Sequence, residues 1–585
     1  MSRLSVLNRD GCSKNAARWA ASVSNSSPSI RWNRWPPSIR AATGSERYVR
    51  AVAVWPCVIL CSLCAACAHH SVPIAVEHRS ASPLSADVPD PASTPDASTS
   101  DASTSTSTGP ATTTTTTTST PATTTPVAPT TTLPPALAYS SDVGQPWGDA
   151  VDGLLTFRGN PSHTYHGTGP IPESPEILWR YPESAMCGLS REYGETREWC
   201  GTGWVGQPAV FERDQRTWVV FGAYDYNFHF LDAASGDPIL APFPTDDLAK
   251  GTVTVDPDGF PLVYGGSRDN KLRVLAIDRP EATELWALDS TAPELQPRLW
   301  NNDWDAAPLI IGDHLVTGGE NSRFHVVRLN RSYGPNGLVQ VAPELVFTAP
   351  AWDDELLANL PDDRVSVENA VTMVGDTAYF TSSGGLVQGW DLSSLRTGEG
   401  EITRTFRFWS GDDTDATIVA DEDGMLYVGQ EWDRRNDRSG DVGQLLKIDP
   451  SRPGDPVVWS IDDQVGDRSG TWSTPALYRD LVIWPVWTGA VHGIDRATGE
   501  IRWTIDLPPG LMSSPVVVDD VLMQADAAGT VRAWDLTAPH GSKAMRPVVM
   551  WELQLPANVE STPAMWAGRL YVGTRDGYFY AVGDR

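Results

Sequence analysis

Short runs of alternating apolar and polar residues, separated by Gly- and Asp-rich turns, fill the chain from about Gly206 to the C-terminus. The plainest run is STPALYRDLVIWPVWTGAVHGIDRATGEIRWTIDLP, residues 473–508. A small-residue start leads into a strand ending near Trp484. A Thr-Gly turn follows, then a strand around Ala490 to Ile494, then a Trp-bearing strand after DRATGE. The order returns in SSPVVVDDVLMQADAAGTVRAWD from Ser513 and in STPAMWAGRLYVGTRDGYFYAVGDR from Ser561. A period of roughly 40 to 50 residues built only from strands and turns predicts a β-propeller.

The turns delimit each blade. Asp256-Pro257-Asp258-Gly259, Gly312-Asp313, Gly375-Asp376, Asp423-Gly424, Asp519-Asp520 and Ala567-Gly568 supply the positive-φ geometry of tight first hairpins. Asp269-Asn270, Gly384-Gly385, Thr488-Gly489, Ala528-Gly529 and Asp576-Gly577 mark the second turn, and half-buried strands follow them. The third turn leads to an outer Trp: Trp286, Trp409, Trp459, Trp503 or Trp551. Such rings belong between neighbouring blades, where each can bury ~150–250 Å². Blades start near Gln207, Thr252, Ala306, Asn369, Ala416, Ser473, Ser513 and Ser561, which predicts an all-β, eight-bladed propeller of four-stranded antiparallel blades. The last copy stops at Arg585 after its third strand. Glu176-Ile177-Leu178-Trp179-Arg180-Tyr181 reads like the missing outer strand, so an N-terminal strand is expected to complete the last blade and close the ring.

The stretch GIDRATGEIRW, residues 493–503, resembles the repeat of pyrroloquinoline-quinone-like (PQQ-like) propellers, approximately Ala-x-Asp-x-x-Thr-Gly-x-x-x-Trp. Asp495, Thr498, Gly499 and Trp503 match and Gly493 replaces the Ala. Partial matches recur at Asp232 with Gly236, Asp278 with Trp286 and Asp449 with Trp459. The resemblance spans roughly residues 175–585. It implies either a quinone-dependent dehydrogenase or a non-enzymatic, lipoprotein-type member. The dehydrogenases typically sandwich the quinone between a Trp and a disulfide of adjacent cysteines, with Ca²⁺ held by Glu, Asn and Asp. No adjacent Cys pair exists here, so the resemblance points to the cofactor-free branch, with no quinone expected.

Composition divides the chain further. Residues 1–50 form a basic extension. Within residues 51–67, the uncharged run VAVWPCVILCSLCAA (52–66) follows Arg47 and Arg50, the layout of a signal-peptide core. It ends Leu63-Cys64-Ala65-Ala66-Cys67, similar to a bacterial lipobox, which makes Cys67 the candidate lipidation site. About fifty residues before the core exceed a normal n-region, so either the translation start lies downstream or the run is an uncleaved signal anchor. Both readings place the following chain outside the cytoplasm, in the cell envelope, with the anchor as its one membrane contact. Residues 68–137 are a stalk of mainly Ser, Thr, Pro, Ala and Asp that lacks the apolar residues a core needs. The propeller is assigned to 138–585. Its two cysteines, Cys187 and Cys200, are expected to form a disulfide.

Net charge is −29, and the first 67 residues carry nine Lys or Arg against two acids, so stalk and propeller are more acidic still. Nucleic acid is excluded as a partner, because phosphate binding needs a concentrated basic patch. Long segments at 183–206, 290–305 and 351–368 are blade-to-blade connections, and the insertion 431–441 is a second turn; all crowd one face, where recognition loops would sit. Candidate ligand residues at the channel mouth on that face are Asn302, Asp303, Trp304, Asp305, Glu320, Asn321, Glu368, Asn369, Asp415, Glu431, Trp432 and Trp472. Such carboxylates and amides could bind Ca²⁺, and the Trp rings could stack on sugars. No G-x-S-x-G, H-E-x-x-H or P-loop pattern occurs, and no catalytic residue or dedicated metal site is assigned. His163 and His166 read as a loop feature. The expectation is a binding or scaffold module for an envelope protein or cell-wall glycan. A PQQ-dependent alcohol or sugar dehydrogenase and a carbohydrate-active enzyme stand as alternatives.

Overall fold

The computed structural model describes residues 136–138, 142–192, 194–537 and 546–585. The basic extension, the apolar run with Cys67 and nearly all of the stalk lie outside the described residues. Eight sheets of four or five strands follow one another along the chain, and the first strand of blade eight lies against that of blade one. This is the eight-bladed ring that the turn pattern predicts. Blade one runs Ala209–Arg213, Arg216–Ala223, Asn227–Asp232 and Pro238–Pro244, with Gly153–Leu154 added inside. Blade eight runs Ala564–Trp566, Arg569–Gly573 and Phe579–Gly583, and Glu176–Tyr181 pairs antiparallel with its third strand. The ring closes where the truncated last copy requires it.

The motif residues explain how blades are clamped together. Asp495 Oδ1 accepts the backbone N–H groups of Ala497 and Thr498 (both 2.9 Å), which bends the chain so that Gly499 takes φ +75°. The lack of a side chain there lets Trp459 of the preceding blade lie against Gly499, and its Nε1 donates to the Arg496 carbonyl (3.0 Å). The same clasp joins blade eight to blade one: Gly236 meets the Trp179 ring, whose Nε1 donates to Ala233 O (3.0 Å). The repeat therefore encodes an interblade latch rather than a ligand site.

Each latch aromatic faces a fixed point of its own third strand. Trp503 pairs with Gly493, Trp551 with Ala533, Trp179 with Ala581 and Trp459 with Lys447, each beside a one-residue bulge. Blade four corrects the expectation there. Phe406, opposite Gly389, holds this register, whereas Trp409 lies at the strand end opposite Leu386 and donates its Nε1 to Gly384 O (3.0 Å). Gly493 stands where the family pattern has Ala because the buried Trp503 ring fills the space a Cβ would take. Replacing Gly493 with Val should cost about 1–3 kcal/mol by overpacking; thermal denaturation would show it as a lowered Tm at unchanged β-sheet circular dichroism.

One segment has no counterpart in the repeat. Residues 153–168 enter the channel and touch every blade. Gly153–Leu154 pairs with blade one, and Val255 N donates to Leu155 O (2.7 Å) in blade two. Phe157 packs on Ala307 and Ala370, at the starts of blades three and four. Met373 N donates to Pro161 O (2.8 Å) and Ala420 N to Ser162 O (3.2 Å). The fully buried Arg158 guanidinium reaches carbonyls of Thr474 (3.4 Å), Pro475 (2.9 Å) and Pro515 (2.8 Å), and also His166 Nε2 (2.9 Å). Gly167–Thr168 ends the segment in parallel pairing with Ala564–Trp566 of blade eight. His163 and His166 thus belong to the loop that plugs the channel. Residues flanking the plug meet first turns: Ala138 N donates to Gly375 O (3.0 Å), and Pro170 lies under Gly568. The plug therefore closes the face that carries the first turns.

Candidate functional site

The opposite, upper face carries the blade starts and second turns. An extended chain points alternate side chains to opposite sides, and the 301–305 connection shows it. Asn301, Asp303 and Asp305 converge with Glu320 of the second turn of blade three, while Asn302 and Trp304 turn away. Asp303, Asp305 and Glu320 bring carboxylate oxygens within 4.8 Å of one another. The Lys250 ammonium, from the start of blade two, lies among them, 2.6 Å from Asp305 Oδ2, 3.2 Å from Asp303 Oδ2 and 3.5 Å from Glu320 Oε1. Arg268 Nε adds a contact to Asp303 (3.3 Å), and Asn301 Nδ2 donates to Glu320 Oε2 (2.8 Å).

Burial dominates the electrostatics of this group. It pushes Asp305 up to about 7, with Lys250 pulling the value down and Glu320 pushing it up. Burial and the Glu320 charge hold Asp303 well above the usual carboxylate range. Burial opposes the charge on Lys250, but Asp305, Glu320 and Asp303 together keep it protonated far above the normal lysine value.

A second group forms at the start of blade five. Asp413 and Asp415, again two residues apart, meet Glu431 of the second turn within 4.8 Å. Burial raises all three, with Asp413 and Asp415 adding to the rise at Glu431. Arg434 NH1 stands 3.7 Å from Asp413 Oδ2, at the edge of the group rather than among the three acids. Glu368 feels both groups. Burial and then the charges of Asp415, Glu320, Asp305 and Asp413 raise it well above the usual range. It accepts from Ser366 Oγ (2.6 Å) and Trp204 Nε1 (3.1 Å).

Trp204 escaped the sequence reading. It sits in the connection before blade one, yet its indole reaches Glu368 at the start of blade four and lies 4.9 Å from Lys250 Nζ. The available signal was its flanking glycines in Gly-Thr-Gly-Trp-Val-Gly. Arg468 stacks on both Trp472 (4.3 Å) and Trp487 (4.6 Å), which anchors Trp472 beside the start of blade six. Of the other expected residues, Trp304 is buried between blades two and three and donates to Asn270 O (2.9 Å). Asn321 bonds His325 (3.3 Å), and Asn369 clips Thr381 O (3.2 Å) to Thr414 O (2.8 Å). Asn302 accepts from Arg298, and Trp432 rests near Gly440 of the short helix Asp437–Val442. These five are placed in structural roles, whereas Asp303, Asp305, Glu320, Glu368, Asp415 and Glu431 form the two acid groups and the residue between them.

The donor sets differ in what they can hold. Lys250 already supplies the positive charge of the first group, so a metal ion there would have to displace an ammonium. The second group offers three carboxylates, the oxygen chemistry that Ca²⁺ takes. The disulfide joins Cys187 and Cys200, a directly opposed pair at the base of the hairpin Cys187–Glu192 and Glu195–Cys200. That bond matches the sequence expectation and is not the adjacent-cysteine platform of the dehydrogenases. No helix among the described residues is long and apolar enough to cross a membrane.

Residues 488–584 match the family model described as outer membrane protein assembly factor BamB. No curated protein matches the chain. Similar solved structures include a europium-containing methanol dehydrogenase (12% identity, 74% of this chain and 98% of that one, TM-score 0.48). Another is the quinohemoprotein alcohol dehydrogenase from Comamonas testosteroni (13% identity, 74% and 80%, TM-score 0.47). BamB from Moraxella catarrhalis is 13% identical, with 70% and 98% covered and a TM-score of 0.34. The matched repeats and the ring of eight four-stranded blades make this a PQQ-like β-propeller.

Proposed function

We propose that this propeller is an exported, envelope-anchored binding or scaffold module that receives a protein or cell-wall ligand at its upper mouth. The observation that carries this reading is the difference between the two ends of the channel. Residues 153–168 fill one end and touch all blades, while the other gathers buried carboxylates, Lys250 and Trp204 on loops held by a rigid ring. The disulfide supports an oxidising compartment. The description of the matched family, an outer membrane protein assembly factor, supports a scaffold role there. The acidic field of the chain favours ligands that are neutral or cationic.

Affinity capture from solubilised envelopes tests this. Asp415→Asn combined with Glu431→Gln keeps the shape of the second acid group and removes its charge. The wild-type propeller should retain a discrete envelope component that the double variant, folded to the same Tm or better, loses. Identical capture by both proteins would remove the mouth as the binding site.

A further inference from the structure

The loop Gly203-Trp204-Val205-Gly206 is a strained cover. Trp204 and Val205 both take positive φ, +52° and +53°, a conformation that costs a bulky or β-branched residue on the order of 1–3 kcal/mol. Its indole holds it down on Glu368 and Lys250. What lies beneath is polar and incompletely bonded. A Cβ on Gly203 would stand 2.8 Å from both the Tyr224 hydroxyl and Glu560 Oε2, and 3.4 Å from Arg575 NH1. Tyr224 is 0% exposed and its hydroxyl has no hydrogen-bond partner; Arg575 NH1 and Thr202 Oγ1 are buried without one too. On the far side of Trp204 and Lys250, Asp305 Oδ1 is a buried acceptor without a donor. Gly203 lies against Tyr224 and its neighbour Trp204 lies 4.9 Å from Lys250, which is 2.6 Å from Asp305, so one loop covers both sides. Native proteins rarely leave buried polar groups unpaired, each costing about 1–3 kcal/mol.

Orphan donors on one side of the loop and an orphan acceptor on the other call for a partner that both accepts and donates. A metal ion would meet the Lys250 ammonium. An anion would confront Asp303, Asp305, Glu320 and Glu560. A hydroxyl group does both jobs without net charge. Resting on the reading of the mouth as the binding site, we propose that this space takes a saccharide unit with adjacent hydroxyl groups, admitted when residues 203–206 lift. The hydroxyls accept from Arg575 and Tyr224 and donate to Asp305, and the Trp204 ring covers the apolar face of the sugar.

Calorimetric titration of the full propeller with glucose, galactose and N-acetylglucosamine, each beside its O-methylated form, tests this. At least one free sugar should bind at millimolar concentration or below, and its methylated form should not. Tyr224→Phe should weaken that binding about tenfold, one hydrogen bond's worth, while the Tm of the ligand-free protein stays level or rises because an unpaired hydroxyl is gone. Arg575→Gln should weaken binding similarly. Three results would overturn the proposal: no free sugar binds, methylation makes no difference, or folded Tyr224→Phe binds as tightly as wild type. Envelope capture that survives such a result, and still depends on Asp415 and Glu431, leaves the scaffold reading intact.

Discussion

A chain that starts at Glu183 should fail to form the ring. It lacks both the channel plug and Glu176–Tyr181, so blade eight loses its outer strand and the latch from Trp179 to Ala233. The exposed third strand Phe579–Gly583 becomes an open edge ready for aggregation. The whole net stability of the fold, on the order of 5–15 kcal/mol, is at stake. Size-exclusion chromatography and circular dichroism should show expanded or aggregated protein. Reattaching residues 173–182 behind Arg585 should restore the outer strand of blade eight and remove the open edge, because Glu176 already pairs with Gly583 and Asp584 already binds the N–H groups of Glu173 and Ser174 (both 2.8 Å). A compact, monomeric Glu183 chain would show that closure lies elsewhere.

Lys250→Met should be the most damaging single substitution at the mouth. It keeps the length of the side chain and removes the ammonium that touches three buried carboxylates. Breaking such a buried group by removing one partner costs about 3–5 kcal/mol. The loss should depend on pH with a definite sign. Asp303 and Asp305 have folded pKa values raised above their unfolded ones, so the folded state holds protons that the unfolded state gives up. Their contribution is most favourable below about pH 4 and is lost as pH rises through the folded values, about 7 for Asp305. Without Lys250 those folded values rise further. The gap in stability between wild type and variant should therefore be wide at pH 8 and narrow toward pH 5. Buried histidines act in the other direction: burial lowers His163 to about 4 and His325 to about 3, so both proteins lose stability below the unfolded histidine value. Comparing the two proteins at each pH by urea denaturation cancels that shared loss. A gap that is constant from pH 5 to 8 would contradict the buried-acid account.

The ring was legible because it is written in local chemistry. An Asp-capped turn, a positive-φ Gly and a latch Trp recur at fixed spacing, and a missing strand at one end matched an extra strand at the other. The two acid groups were legible in part, since blade starts and second turns share a face by topology. Asp303 and Asp305 stand two apart in the sequence and converge in the structure, whereas alternation turns Trp304, between them, into the interblade core. The plug left no trace in periodicity. Its segment, GLLTFRGNPSHTYHGT, fits the channel mainly through backbone carbonyls and one buried Arg, and carbonyls leave no mark in a sequence. Trp204 was hidden for the reverse reason: it works from a loop, and its two partners come from other blades.

The plug also sets the order in which this protein can be finished. Its residues are among the first of the propeller to be synthesised, yet Arg158 bonds to Pro515, 357 positions later, and Gly167–Thr168 waits for Ala564–Trp566. No partial chain can satisfy both ends of the segment. Contacts of such separation make folding slow, and a nascent chain that cannot lock stays open for as long as its C-terminus is missing. On the export proposed above, the same delay would keep the chain fit for passage until the last blade has crossed.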